Sequence, residues 1–316
     1  MERKQIVHLL HIPWTGLGLY NGFRGNRWLK NRIKVFKQFV VPSLINQTSK
    51  NFMLWCAWRP EEKNNKHVKE LMRWLDDIKY FKVVHTFHGI CFWDDKYKDE
   101  EARKRLFNAL HGSLAELINH IGECDYVYMT IQPSDDLYSK YMVQNVQAMF
   151  ENSDLEGIGF KAGYICNYQT KEVCEYNPTT NPPFYTIKFP RDTFLDPLKH
   201  FNYTAIKQDM GKYKAGTPIP SHEYVGGAIK YSQFDVRGFM VGTHGENIST
   251  VFNHPFKGAA VDNVLEEFGI ADVEPLKIKF SIRKRLLRLL PFRWQRKIRY
   301  IFGERGWQKI YDFLRN

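Results

Sequence analysis

The sequence predicts an α/β protein, a mainly parallel sheet with helices on both faces, followed by a basic helical tail. Three observations carry this. Strand-like runs rich in β-branched and aromatic residues alternate with stretches of helical periodicity through the first half of the chain. One strand, Tyr126 to Thr130, runs out into a turn bearing two adjacent carboxylates, Asp135 and Asp136. Finally, residues 277–316 hold 13 Lys and Arg against two acids, whereas the preceding 276 residues hold 33 basic and 32 acidic side chains.

The first strand is Gln5 to Ile12, a mainly apolar run, interrupted by His8 and His11, that reads as buried. A glycine-rich loop follows, Thr15 to Gly25, and then Trp28, Leu29, Arg32, Ile33, Phe36 and Val40 recur at helical spacing as far as Pro42-Ser-Leu44. Asn51 to Trp58 is a second strand, His67 to Ile78 a helix, Lys82 to Phe87 a third strand, and Glu100 to Ile121 a longer helix. The strand with the Asp pair comes next, and a helix is expected from near Leu137. Beyond it the pattern changes: Leu155 to Tyr176 reads as a hairpin around Gln169-Thr-Lys171, Phe184 to Phe189 as a strand, and Phe239 to Asn247 as a strand ending in a polar turn. Pro275 marks the boundary of the tail.

At 316 residues and 43% hydrophobic, the chain can bury a full core. Its five cysteines form no CxxC pair or His/Cys metal spacing, and Cys56 and Cys124, in or beside apolar strands, read as small buried hydrophobes of a reducing compartment. No secretory leader and no apolar run of membrane-spanning length is visible, so the expected location is cytoplasmic. A nucleic-acid enzyme would carry positive charge around its cleft; the near-neutral body makes nucleic acid an unlikely partner.

Paired carboxylates at a strand's C-terminal end stand where open α/β sheets bind ligands. Their oxygens suit a hard divalent cation, Mn²⁺ or Mg²⁺, which can clamp a diphosphate. The plain alternative makes Asp135 and Asp136 turn and N-cap residues of the helix after them. Gly16-x-Gly18 falls short of a dinucleotide fingerprint, but the loop around it could wrap a nucleotide, with Arg24 or Arg27 pairing a phosphate. In the tail, Ile282, Leu286, Leu289 and Leu290 share one helical face among cations, with Phe292 and Trp294 beyond them. Residues 277–302 therefore read as an interfacial helix for an anionic membrane surface, which makes the protein peripheral on the inner face of the membrane. A helical pair packed on the body is the alternative.

Arg27-Trp-Leu-x-x-Arg-Ile-x-x-Phe36, Phe39-x-x-Pro-Ser-Leu-x-x-Gln-Thr48, Asn51-Phe52, the Ser134-Asp-Asp136 turn and His244-Gly-Glu-Asn247 occur in this order. Together they resemble a bacterial rhamnosyltransferase group with a GT-A (Rossmann-like) glycosyltransferase fold related to family 2. The likeness covers about residues 5 to 255. It implies a nucleotide-sugar-binding half (1–150), an acceptor-binding half of the same domain (151–275), and the tail (276–316). It also implies metal-dependent, inverting transfer of a sugar from a nucleotide-diphosphate donor to a glycan or lipid-linked acceptor. Carried over by position, Asp136 contacts the metal, Asp135 supports metal or nucleotide, and His244 is a further ligand or a polar turn residue. The base that takes the acceptor's proton is sought among Glu223, Asp209 and Asp235, with Glu223 favoured for its glycine neighbours; a solvated surface Glu is the alternative. One departure stands out: Ile131 and Pro133 occupy positions where the group has Arg and Asp. This departure supports the rival expectation of a non-catalytic GT-A-fold protein that binds a glycan or the membrane.

Overall fold

The computed structural model describes residues 4–14, 26–89, 99–200, 225–244, 252 and 257–277. The chain divides into two compact units, Met1–Leu276 and Lys277–Asn316, and every element below belongs to the first.

Four parallel strands build the first half of the sheet: β1 (Ile6–Pro13), β2 (Met53–Ala57), β3 (Lys82–Thr86) and β4 (Tyr126–Ile131), in the order β3-β2-β1-β4. This is the strand order of a mononucleotide-binding half, and its parallel links require the intervening helices to cross over the faces. Both faces are accordingly covered; all five residues of β2 are buried. On one face Leu9, Trp55, Val127, Met129 and Ile131 pack with Leu110, Leu114 and Leu117 of α4 (Asp99–Leu117). Each such side chain removed from water contributes about 1.5–3 kcal/mol. On the other face α5 (Met142–Glu151) sets Phe150 against Tyr128, ring centroids 4.7 Å apart.

The second half is antiparallel where it joins the first. β8 (Tyr185–Pro190) pairs with β4, and β6 (Gly157–Asn167) pairs with β8 and with β7 (Glu172–Tyr176), the expected hairpin. Lys171 turns that hairpin with a positive φ of 61°. β9 (Tyr231–Thr243) runs parallel to β6 and pairs with a two-residue strand, β5 (Leu137–Tyr138). This last pairing corrects one expectation. No helix begins near Leu137; Leu137 and Tyr138 are held extended by Met240 and Phe239, and the helix starts only at Met142, with Tyr141 as its N-cap. The Asp pair is therefore not a helix cap.

The helix after the glycine-rich loop has three parts: α1 (Asn26–Val35), a π-helical turn (Phe36–Val40) and α2 (Val41–Ile45). In the π turn the Val41 N–H bonds back to the Phe36 carbonyl. Pro42 follows at once and has no N–H to give to the preceding turn, so a wider turn just before it absorbs the break without ending the helix.

Candidate functional site

The parallel strands all end on one edge of the sheet, and the Asp pair lies there, just past β4. The loop from Gln132 to Asp136 closes on itself: the Gln132 side-chain amide donates to the carbonyls of Pro133 and Asp136, each at 2.9 Å. Ile131 is a buried core residue, and its carbonyl accepts from the Tyr138 hydroxyl at 2.8 Å.

Asp135 is buried and committed. Its Oδ2 forms an ion pair with Arg32 of α1, whose side chain is 6% exposed, and lies 3.2 Å from His244 Nε2, just past β9. With the ring proton on Nε2 the imidazole donates to the carboxylate. Arg32 Nη1 lies 3.4 Å from the same nitrogen, so the three side chains form one buried cluster. The Asp135 carbonyl is held as well, accepting from the Tyr168 hydroxyl at 2.8 Å. Tyr168 stacks on Phe39 of the π turn, centroids 3.9 Å apart. A buried charge needs a partner of this kind, because the interior replaces little of its hydration.

Asp136 differs. Its Oδ1 accepts from the Gly242 N–H of β9 at 2.9 Å, and the residue as a whole is part-buried, unlike Asp135. Protein atoms crowd it enough that burial raises its pKa to about 6, against the lowering effects of the Gly242 hydrogen bond and the Arg32 charge. Position 242 must be glycine for this approach: a Cβ there would meet the Asp135 carbonyl and the Tyr168 ring, each at 2.3 Å.

The Pro-Ser-Leu-x-x-Gln-Thr block proves to be a clamp on the segment after the Asp pair. Ser43 Oγ donates to the Tyr138 carbonyl at 3.0 Å and Gln47 Nε2 to the Ser139 carbonyl at 2.8 Å, while Gln47 Oε1 accepts the Val143 N–H. Thr48 Oγ1 bonds the Lys140 carbonyl and the Gln144 side chain. The motif thus fixes where the Asp loop returns into the fold, and the same helix supplies Arg32.

Asp135 and His244 are brought together from positions 109 residues apart, with Asp136 next in sequence to Asp135. Arg27 stands on the exposed side of the first turn of α1. Arg32, further along, is the arginine that turns inward. Sequence reasoning missed it as a site residue, although its place among Leu29, Ile33 and Phe36 marked it as a charge on an apolar face. Asp235 is remote: it sits exposed on β9, 3.8 Å from Lys161, and seven residues of extended strand, roughly 20 Å, separate it from Gly242. Arg24, Asp209, Glu223, the glycine-rich loop, residues 245–247 of the His-Gly-x-Asn turn and the tail from 278 lie outside the described residues.

Among the described residues no three His, Cys, Asp or Glu side chains converge as a metal cage. With His244 Nε2 and the Asp135 carboxylate engaged, Asp136 is the carboxylate available to a cation. A single carboxylate fits the way Mg²⁺ binds at nucleotide sites, where substrate phosphates and water fill the remaining positions. Toward the other strand ends the same edge is aromatic: Trp14 stacks on Trp58 with centroids 4.8 Å apart, and Trp58 Nε1 donates to His85 Nδ1.

No protein-family model matches the chain, and no curated protein matches it. Among solved structures it is similar to S. aureus TarS 1-349 in complex with UDP-GlcNAc, at 11% identity and a TM-score of 0.37 over 76% of this chain and 59% of that one. It is also similar to the same fragment with UDP, at 11% identity and TM-score 0.35 over 75% of this chain and 60% of that one. A protein from Desulfovibrio desulfuricans G20, named as a nucleotide-diphospho-sugar transferase, aligns at 10% identity and TM-score 0.35 over 76% of this chain and 82% of that one. The chain spans about 60% of the length of the TarS fragments.

Proposed function

We propose that the protein is a glycosyltransferase of GT-A type that moves a sugar from a nucleotide-diphosphate donor to a glycan or lipid-linked acceptor. The observation that carries this reading is the division of labour in the Asp pair. One carboxylate is locked by Arg32 and His244, and the other remains partly accessible with a raised pKa at the strand-end edge. Asp135 positions; Asp136 faces the ligand. A Mn²⁺ or Mg²⁺ ion held by Asp136 would supply charge neutralisation for a departing diphosphate. Arg24 or Arg27 would pair the nucleotide's phosphates. Glu223, or failing it Asp209, would take the proton from the acceptor hydroxyl as its oxygen displaces the nucleoside diphosphate from the anomeric carbon in one step, which would invert that carbon. Rhamnose as the donor sugar rests on the sequence resemblance. The tail would hold the enzyme on an anionic inner membrane face, where a lipid-linked acceptor is presented.

A thermal-shift screen of nucleoside diphosphates, with and without Mn²⁺, tests the reading, since a ligand that binds only the native state raises its melting temperature. Wild type should gain stability only when both are present, and Asp136→Ala should lose that gain. An unchanged gain in Asp136→Ala would move the site elsewhere. The rival, a non-catalytic glycan-binding protein of this fold, draws on the commitment of Asp135 to Arg32. It predicts no nucleotide response in wild type.

A further inference from the structure

We propose that the face formed by α1 and α3 (Lys66–Asp76) is a second contact surface for an anionic membrane, built into the body and separate from the tail. Between Glu2 and Glu61 the chain has ten Lys and Arg and not one Asp or Glu, whereas the rest of the body, to residue 276, holds 23 basic and 32 acidic side chains. The fold gathers three of those cations on one face. Lys30, Lys34 and Lys37 line a groove of about 480 Å³ together with Ile33, Gln38 and Trp74 of α3. Lys30 and Lys34 are exposed, and Lys37 Nζ lies over the Trp74 ring at 4.4 Å. Arg73 adds an exposed cation beside Trp74, and Glu70 is the acid whose charge acts on Lys37.

The composition of the groove selects the partner. Lysines with long apolar stems around a tryptophan and an isoleucine floor match the boundary between lipid headgroups and acyl chains. A soluble polyphosphate would use the cations but neither the ring nor the apolar floor. The helix that turns Arg32 inward to Asp135 turns these lysines outward, so membrane docking through α1 would set the height of the Asp loop above the lipid surface. This inference extends the membrane placement proposed above but does not depend on the tail.

Co-sedimentation of the full chain with phosphatidylcholine vesicles, alone or mixed with phosphatidylglycerol, tests it. The triple variant Lys30→Gln/Lys34→Gln/Lys37→Gln should partition onto the anionic vesicles on the order of 100-fold more weakly, with no change on neutral ones. The double variant Lys30→Gln/Lys34→Gln, confined to exposed positions that should leave the fold intact, should lose about 30-fold. A parallel tail variant, Arg283→Gln/Lys284→Gln/Arg285→Gln/Arg288→Gln, separates the two surfaces. If it binds as wild type while the lysine variants lose binding, the tail proposal fails and this one stands. If the lysine variants partition as wild type, the groove is not a membrane surface. If they lose retention on immobilised polyphosphate while vesicle binding is unchanged, it is a soluble-polyanion site and the inference is overturned.

Discussion

Asp135 anchors the site only if its ion pair with Arg32 is a buried structural interaction, and a double-mutant cycle measures that directly. The two side chains are 11% and 6% exposed, so neither charge can recover its hydration when the other is removed. Arg32→Met leaves a buried carboxylate without its guanidinium partner, beside His244 at 3.2 Å. Asp135→Asn leaves a buried guanidinium. Each single change should cost about 3–5 kcal/mol, the range for breaking a buried pair by removing one partner. Arg32→Met/Asp135→Asn removes both charges and retains most of the volume, so it should cost much less than the two singles added together. A coupling of at least about 2 kcal/mol is expected. Urea denaturation of the four proteins, followed by far-UV circular dichroism, gives the cycle; repeating it in high salt should change little, because a buried pair is weakly screened. Single changes that cost under about 1 kcal/mol, or that simply add, would refute the reasoning. Asp135 would then be open to solvent and free to bind a cation itself.

Asp136 should make stability depend on pH with the opposite sign from an ordinary paired carboxylate. Its pKa is raised from 3.8 to about 6, so the native state binds the proton more tightly than the unfolded chain, and its contribution is lost as pH rises from about 4 to 6. Asp136→Asn should therefore stabilise by about 3 kcal/mol above pH 6 and by nothing below pH 4, read from melts across that range. Gly242→Ala drives a Cβ into the Asp135 carbonyl and the Tyr168 ring, each at 2.3 Å; it should cost roughly 1–3 kcal/mol in chemical denaturation and weaken Mn²⁺-dependent nucleotide binding with it. Glu223→Gln should leave nucleotide binding intact and remove most sugar transfer; full activity in that variant would pass the role of base to Asp209.

Much of the fold was legible because its signals are local. β1, β2, β3 and β4 each read as short apolar runs, and the hairpin of β6 and β7 announced itself through alternation around a turn. The position of Asp135 and Asp136 after a buried strand was likewise a local fact, and it located the edge of the sheet where the site lies. The Ser43, Gln47 and Thr48 motif was visible as a pattern but not as a clamp, since its partners lie more than ninety residues away.

The misreadings are long-range. Leu137 and Tyr138 carry no mark against a helix, and only pairing with Phe239 and Met240 makes them a strand. Nothing near Asp135 in sequence distinguishes its role from that of Asp136. The chain by itself determined that two carboxylates would stand together at the end of a central strand. Which is locked and which is left to a ligand was decided by His244, 109 residues from Asp135, and by Arg32, 212 residues from His244. Sheet order brings those residues together. The buried charges then fix the choice, because a carboxylate taken out of water is stable only beside a cation and hydrogen-bond donors that the rest of the fold must deliver.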